Sequence, residues 1–106
     1  MDARQAFVDR VKQIDPIFKR GDLQSFWPAL EELVSMAPER VDVSRKKSHY
    51  LASLAARSLA RNDPTSALAF LDLADRTVDA SHMTPFLIEE RTALRRQAIA
   101  VSDARG

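Results

Sequence analysis

The sequence predicts an all-α domain, and three observations carry that reading. Only two glycines occur in 106 residues, and one of them is the last residue. Strong helix formers, above all Ala, Leu, Arg, Gln and Glu, make up most of the rest. Apolar residues recur at intervals of three and four and nowhere alternate as they do in a half-buried strand.

The first helix is expected from Ala3 to Arg20, with Phe7, Val11, Ile14 and Phe18 on one face. Pro16 removes a backbone donor and crowds the turn before it, which predicts a kink or break near Gln13 to Asp15. Gly21 supplies the left-handed residue that ends the helix. Asp22 and Ser25 compete to cap the second helix, and Pro28 discriminates between them. With Ser25 as N-cap the proline falls in the first turn, whereas with Asp22 it falls in the interior and costs up to about 3 kcal/mol. The expected helix is therefore regular from Ser25 to Ala37, with a looser 3₁₀ start at Asp22. Leu30, Leu33 and Val34 face inward, and Pro38 ends the helix.

ERVDVS is expected as a linker, followed by a third helix from Ser44 to Arg61 with Leu51, Leu54, Ala55 and Leu59 inward. Asp63-Pro64 is a strong start signal, an N-cap followed by proline at the first helical position. The fourth helix is expected from Pro64 to Val78. Its run ALAFL is apolar nearly all round, which predicts cover on two sides. DASHM is the next linker. Thr84-Pro85 repeats the start signal for a fifth helix from Pro85 to Val101, with Leu87, Leu94, Ala98 and Val101 along one stripe.

Gly21-Asp22 and Asn62-Asp63 are matching turns 41 residues apart, and each separates two amphipathic helices. That period belongs to helical repeats. Residues 5 to 79 resemble a tetratricopeptide array. Leu51, Leu54 and Ala55 fall at the large, Leu and small positions of that family's first helix, and Ala67, Leu71 and Ala74 at the small, large and small positions of its second. The first unit keeps the turn and the closing Pro38 but departs at Phe26 and Ile14, where small residues are usual, and its linker is longer. The resemblance implies five antiparallel helices: two helix-turn-helix units and a C-terminal capping helix. The alternative is an unrelated five-helix bundle.

The formal net charge is +1, so no overall field draws the chain to nucleic acid or membrane. There is no cysteine, hence no disulfide framework and no thiolate zinc site. The N-terminal segment has no signal-peptide core, and no apolar run nears the roughly 20 residues of a membrane span. The expectation is a soluble, cytoplasmic, non-enzymatic protein without a cofactor. His49 and His82 lack a second ligand at metal spacing, and Ser81-His82 beside Asp79 is too local to form a hydrolytic triad. Asp72, Asp75 and Asp79 read as a solvated helix face with an Asp72–Arg76 pair, and Arg91, Arg95 and Arg96 as partners for those aspartates.

Two surfaces remain as candidates. In tetratricopeptide arrays the first helices and the cap form a concave groove. The resemblance places Val8, Val11, Phe18, His49, Ala52, Ala56 and Phe86 there. An apolar groove of this kind suits an amphipathic partner helix or a second copy of the chain, as in small helical-repeat chaperones and adaptors. The second surface is a basic face of the third helix, Arg45, Lys46, Lys47, Arg57 and Arg61, which is the site of the alternative function, association with nucleic acid. Phe26 and Trp27 read as packing anchors.

Overall fold

The computed structural model describes residues 2–105. Among them are five helices and no strand: α1 (Ala3–Lys19), α2 (Leu23–Met36), α3 (Val41–Ala60), α4 (Pro64–Thr77) and α5 (Pro85–Arg105). One 3₁₀ turn, Ala80–His82, precedes α5. None of these helices is long and apolar enough to cross a membrane.

The two matching turns are built alike. Gly21 (φ +82°) and Asn62 (φ +59°) take the left-handed conformation. In each turn the following aspartate sends its N–H back to a carbonyl five residues earlier, Asp22 to Ile17 at 3.3 Å and Asp63 to Ser58 at 2.9 Å. That bond closes a Schellman motif. Each aspartate then caps the next helix, Asp22 accepting from the Ser25 N–H and Asp63 from the Ser66 N–H, both at 3.1 Å. One residue plan thus ends a helix, reverses the chain and starts the next.

Three local expectations are corrected, and of the kink or break expected near Gln13 to Asp15 the break does not occur. Helix α1 passes through Gln13–Asp15 unbroken with Pro16 inside it. Pro16 and Lys12 are both exposed, so the carbonyl that Pro16 leaves unbonded faces water. Helix α2 starts at Leu23 under the Asp22 cap, not at Ser25, and carries Pro28 in its interior. Pro28 and Gln24, whose carbonyl it frees, are also exposed. Helix α3 starts at Val41, three residues before Ser44, because the extra turn buries Val43 and lets Asp42 accept from the Val43 N–H. Helix α5 continues past Val101 to Arg105, whose guanidinium bonds the Asn62 carbonyl at 2.8 Å.

Helix α3 packs against α1 on one side and α5 on the other, while α2 backs α1 and α4 backs α3 and α5. So α1, α3 and α5 form one layer and α2 and α4 a second. The Cα extents of 46 × 32 × 17 Å describe a slab two helices thick. Leu51, Leu54, Ala55, Ala67, Leu71 and Ala74 are all fully buried where α3 meets α4. The first unit is joined to the second by aromatics. Phe18, Phe26 and Phe70 contact one another at centroid distances of 5.3 to 6.2 Å, and Trp27 stacks on Phe70 at 4.7 Å. Trp27 and Phe26 are packing anchors, as their position at the start of α2 suggested.

Candidate functional site

A furrow runs between α1 and α3. Its middle is a cavity of about 150 Å³ lined by Phe7, Val8 and Val11 from α1 and Lys46, His49, Tyr50 and Ser53 from α3. Through Val11 and Tyr50 it continues into a cavity of about 300 Å³ that also touches Lys12, Asp15, Lys19 and Arg57. Through Lys46 and His49 it opens toward Asp2, Arg4, Asp42 and Arg45. The period-four spacing of Val8, Lys12 and Pro16 on α1 and of Lys46 and Tyr50 on α3 turns these residues to one side.

The expected groove is only partly the observed one. Val8, Val11 and His49 line the furrow. Phe18 and Ala52 are each 1% exposed and belong to the interior. Phe18 lies inside the aromatic cluster, and Ala52 sits one turn beyond His49 in the interior of α3's packing. Ala56 is exposed and Phe86 is 69% exposed, but neither lines the connected cavities. The furrow is also less apolar than expected, since lysines stand beside its valine floor.

The basic face is interrupted: Lys47 is buried, and the arginines are bonded within the fold. Arg45 Nε donates to the His82 carbonyl at 2.9 Å. Lys47 is 4% exposed, and its Nζ donates to the Thr77 carbonyl at the end of α4 at 3.1 Å. Burial lowers its pKa from the ordinary lysine value, an effect Glu39 partly opposes. Arg57 binds Asp15 with both terminal nitrogens, at 2.8 and 3.1 Å. Arg61 donates to the Phe18 carbonyl at 2.9 Å and lies 4.3 Å over the Phe18 ring. Lys47 and Arg61 thus serve the carboxyl ends of α4 and α1, where helix dipoles favour cations. Of the five residues, Lys46 alone has no hydrogen-bond or ion-pair partner among the described residues.

Asp15 anchors the wall of the furrow. Burial would raise its carboxyl pKa, but hydrogen bonds from Arg57 and from the Tyr50 hydroxyl (2.7 Å) outweigh burial and hold it below the ordinary value. The same contacts act in reverse on the partners. Burial and then the Asp15 bond push the Tyr50 phenol up, and the Asp15 bond raises Arg57. The acid of the adjoining cavity, Asp15, is therefore paired within the fold, and Glu90 of α5 lies 3.2 Å from His49 Nδ1. Sequence reasoning missed Asp15, Lys12 and Tyr50. The available signal was an acid on the polar side of Val11 at i+4, opposite an arginine forty-two positions on.

Two other constellations link elements of the fold. His82 Nδ1 lies 2.9 Å from the Ser44 hydroxyl and Nε2 3.5 Å from Asp79 Oδ2. This Ser-His-Asp chain ties the 3₁₀ turn to α3, and Ser44 is 2% exposed. Hydrogen bonds from Ser81 hold Asp79 below the ordinary carboxylate value. On the far edge Arg91 pairs with Asp75, and Arg95 with both Asp72 and Asp75 at 2.7 to 3.0 Å. Asp72 therefore pairs across to α5, and the expected Asp72–Arg76 pair does not form.

Compared with protein-family models, curated proteins and solved structures, the chain matches none of them.

Proposed function

We propose that the protein is a non-catalytic interaction module of tetratricopeptide-like build, and that its α1–α3 furrow receives an acidic amphipathic helix of a partner protein. The paired Schellman turns and the small residues between α3 and α4 support the repeat reading. One observation carries the ligand class. A floor of Val8, Val11 and Tyr50 lies between Lys12 and Lys46, and neither lysine has an acidic partner among the described residues. Apolar floor and uncompensated cations together match a helix with Leu-type residues on one stripe and Glu or Asp beside it. The alternative, nucleic acid along α3, loses support because Arg45, Lys47, Arg57 and Arg61 are committed within the fold.

Fluorescence anisotropy with two designed helical peptides tests this reading. The peptides share their apolar residues and carry either Glu or Lys on the flanks. The Glu peptide is expected to bind and to weaken about tenfold or more in the Lys12→Glu, Lys46→Glu double variant; that loss is about 1.4 kcal/mol. Equal binding of both peptides, or binding indifferent to the double variant, would reject it.

A further inference from the structure

The outer edge of α1 and α2 carries a second apolar depression of about 310 Å³, which shares only the buried Phe7 with the furrow. Ala3, Ala6 and Phe7 line one wall and Leu33, Met36 and Ala37 the other. No other helix covers it. Met36 is 74% exposed, the highest value among the large apolar side chains of the described residues. A thioether chain standing over alanines, in open solvent, marks an interface rather than a free surface.

We infer that this edge is a two-fold interface with a second copy of the chain. The argument is self-complementarity in charge and in shape. Arg10 on α1 and Glu32 on α2 stand at the same height across the depression, 3.9 Å apart and both largely exposed. A two-fold axis lying in the interface, parallel to the helices, sets α1 against the α2 of the second copy. It brings Arg10 over the other copy's Glu32, and Glu32 over its Arg10. The same operation lays each Met36 against the small Ala3–Ala6 wall of the opposite copy, a large residue facing small ones. All four helices then have antiparallel neighbours, which suits their dipoles. A rotation about an axis perpendicular to the helices and passing at that height would instead oppose Arg10 to Arg10 and Glu32 to Glu32, which disfavours it.

The area limits the strength. Helix α2 is about 21 Å long and two packed helices are about 18 Å across, so each copy offers a plane of roughly 400 Å². That places the pair in the weak, reversible class below about 1,200 Å² in total. The inference is independent of the furrow, which stays open in such a dimer.

Sedimentation velocity over rising protein concentration tests it. The wild-type chain is expected to shift reversibly from monomer to dimer, and Met36→Glu to abolish the shift while leaving the helical circular-dichroism signal unchanged. Arg10→Glu and Glu32→Arg should each stay monomeric alone, since like charges meet twice in each homodimer. Mixed one to one, the two variants should regain the dimer, because every facing pair is then opposite in sign. A wild-type chain that stays monomeric overturns the inference. So does a dimer that survives Met36→Glu, or a mixture of the charge variants that fails to associate.

Discussion

The two helical hairpins share a turn and differ in what they pack. Unit one (α1–α2) and unit two (α3–α4) superpose in sequence at a spacing of 41, with Gly21 on Asn62, Asp22 on Asp63 and Ser25 on Ser66. At the packing positions the sizes diverge. Ile14 and Phe26 of unit one correspond to Ala55 and Ala67 of unit two, and all four are buried to 2% exposure or less. Conversely Ala29 of unit one corresponds to Phe70 of unit two. The two large rings, Phe26 and Phe70, meet edge to face at 6.2 Å between α2 and α4. The turn is thus set by local backbone chemistry and repeats faithfully. The interior is set by volume and is satisfied between the units, not within each one.

Making each unit imitate the other breaks this arrangement. Phe26→Ala gives unit one the small residue of unit two but removes a ring held by Phe18 and Phe70. It should cost about 3–5 kcal/mol in urea denaturation. The reverse change, Ala67→Phe, forces a ring into the closed α3–α4 contact and should cost about 1–3 kcal/mol. If Ala67→Phe melts like the parent, the α3–α4 contact is looser than its zero exposure implies.

The joint between the units is sharpened by pH. The Asp15 carboxyl is held low in the folded chain, so its contribution is fully present above the unfolded value near about pH 4 and is lost as pH falls through the lower folded value. Asp15→Asn should cost about 1.5 kcal/mol at neutral pH, the low end for hydrogen bonds to a charged group. It should also flatten the acid limb of the stability curve below about pH 4. An unchanged acid limb would mean that Arg57 and Tyr50 contribute nothing through Asp15.

Smaller changes test the shared turn. Asp22→Ala and Asp63→Ala should cost about 1 kcal/mol each, and by similar amounts, because the two caps have the same geometry. The left-handed residues should respond by different amounts. Gly21→Ala should destabilise by about 1 kcal/mol, since a Cβ at φ +82° is strained although nothing lies within 4 Å of it. Asn62→Gly should change stability by only a few tenths of a kcal/mol. Thermal melts of the four variants measure both pairs.

Features governed by neighbouring residues were legible in the sequence. The five helices and both turns follow from capping signals and apolar spacing, and the burial of Ala55 and Ala67 was what the tetratricopeptide resemblance implied. The tolerance of Pro16 and Pro28 was not legible, because it depends on which carbonyls face water in the folded chain. Nor was the fate of the α3 cations. Arg45, Lys47 and Arg61 reach carbonyls 30 to 43 positions away, and no local pattern announces such a contact. Phe18 and Ala52 were placed on the groove by family geometry, yet both are buried, Phe18 within the aromatic cluster. What survives of that groove, Val8, Val11 and His49, acquired its charge from Lys12 and Lys46.

Amide chemical-shift mapping with the Glu-flanked amphipathic peptide tests the central claim most directly. The account predicts the largest perturbations at Val8, Val11, Lys46 and Tyr50, with Ala56, Phe86 and the Met36 edge undisturbed. Perturbations centred on Ala56 and Phe86, or on none of these residues at saturating peptide, would contradict it.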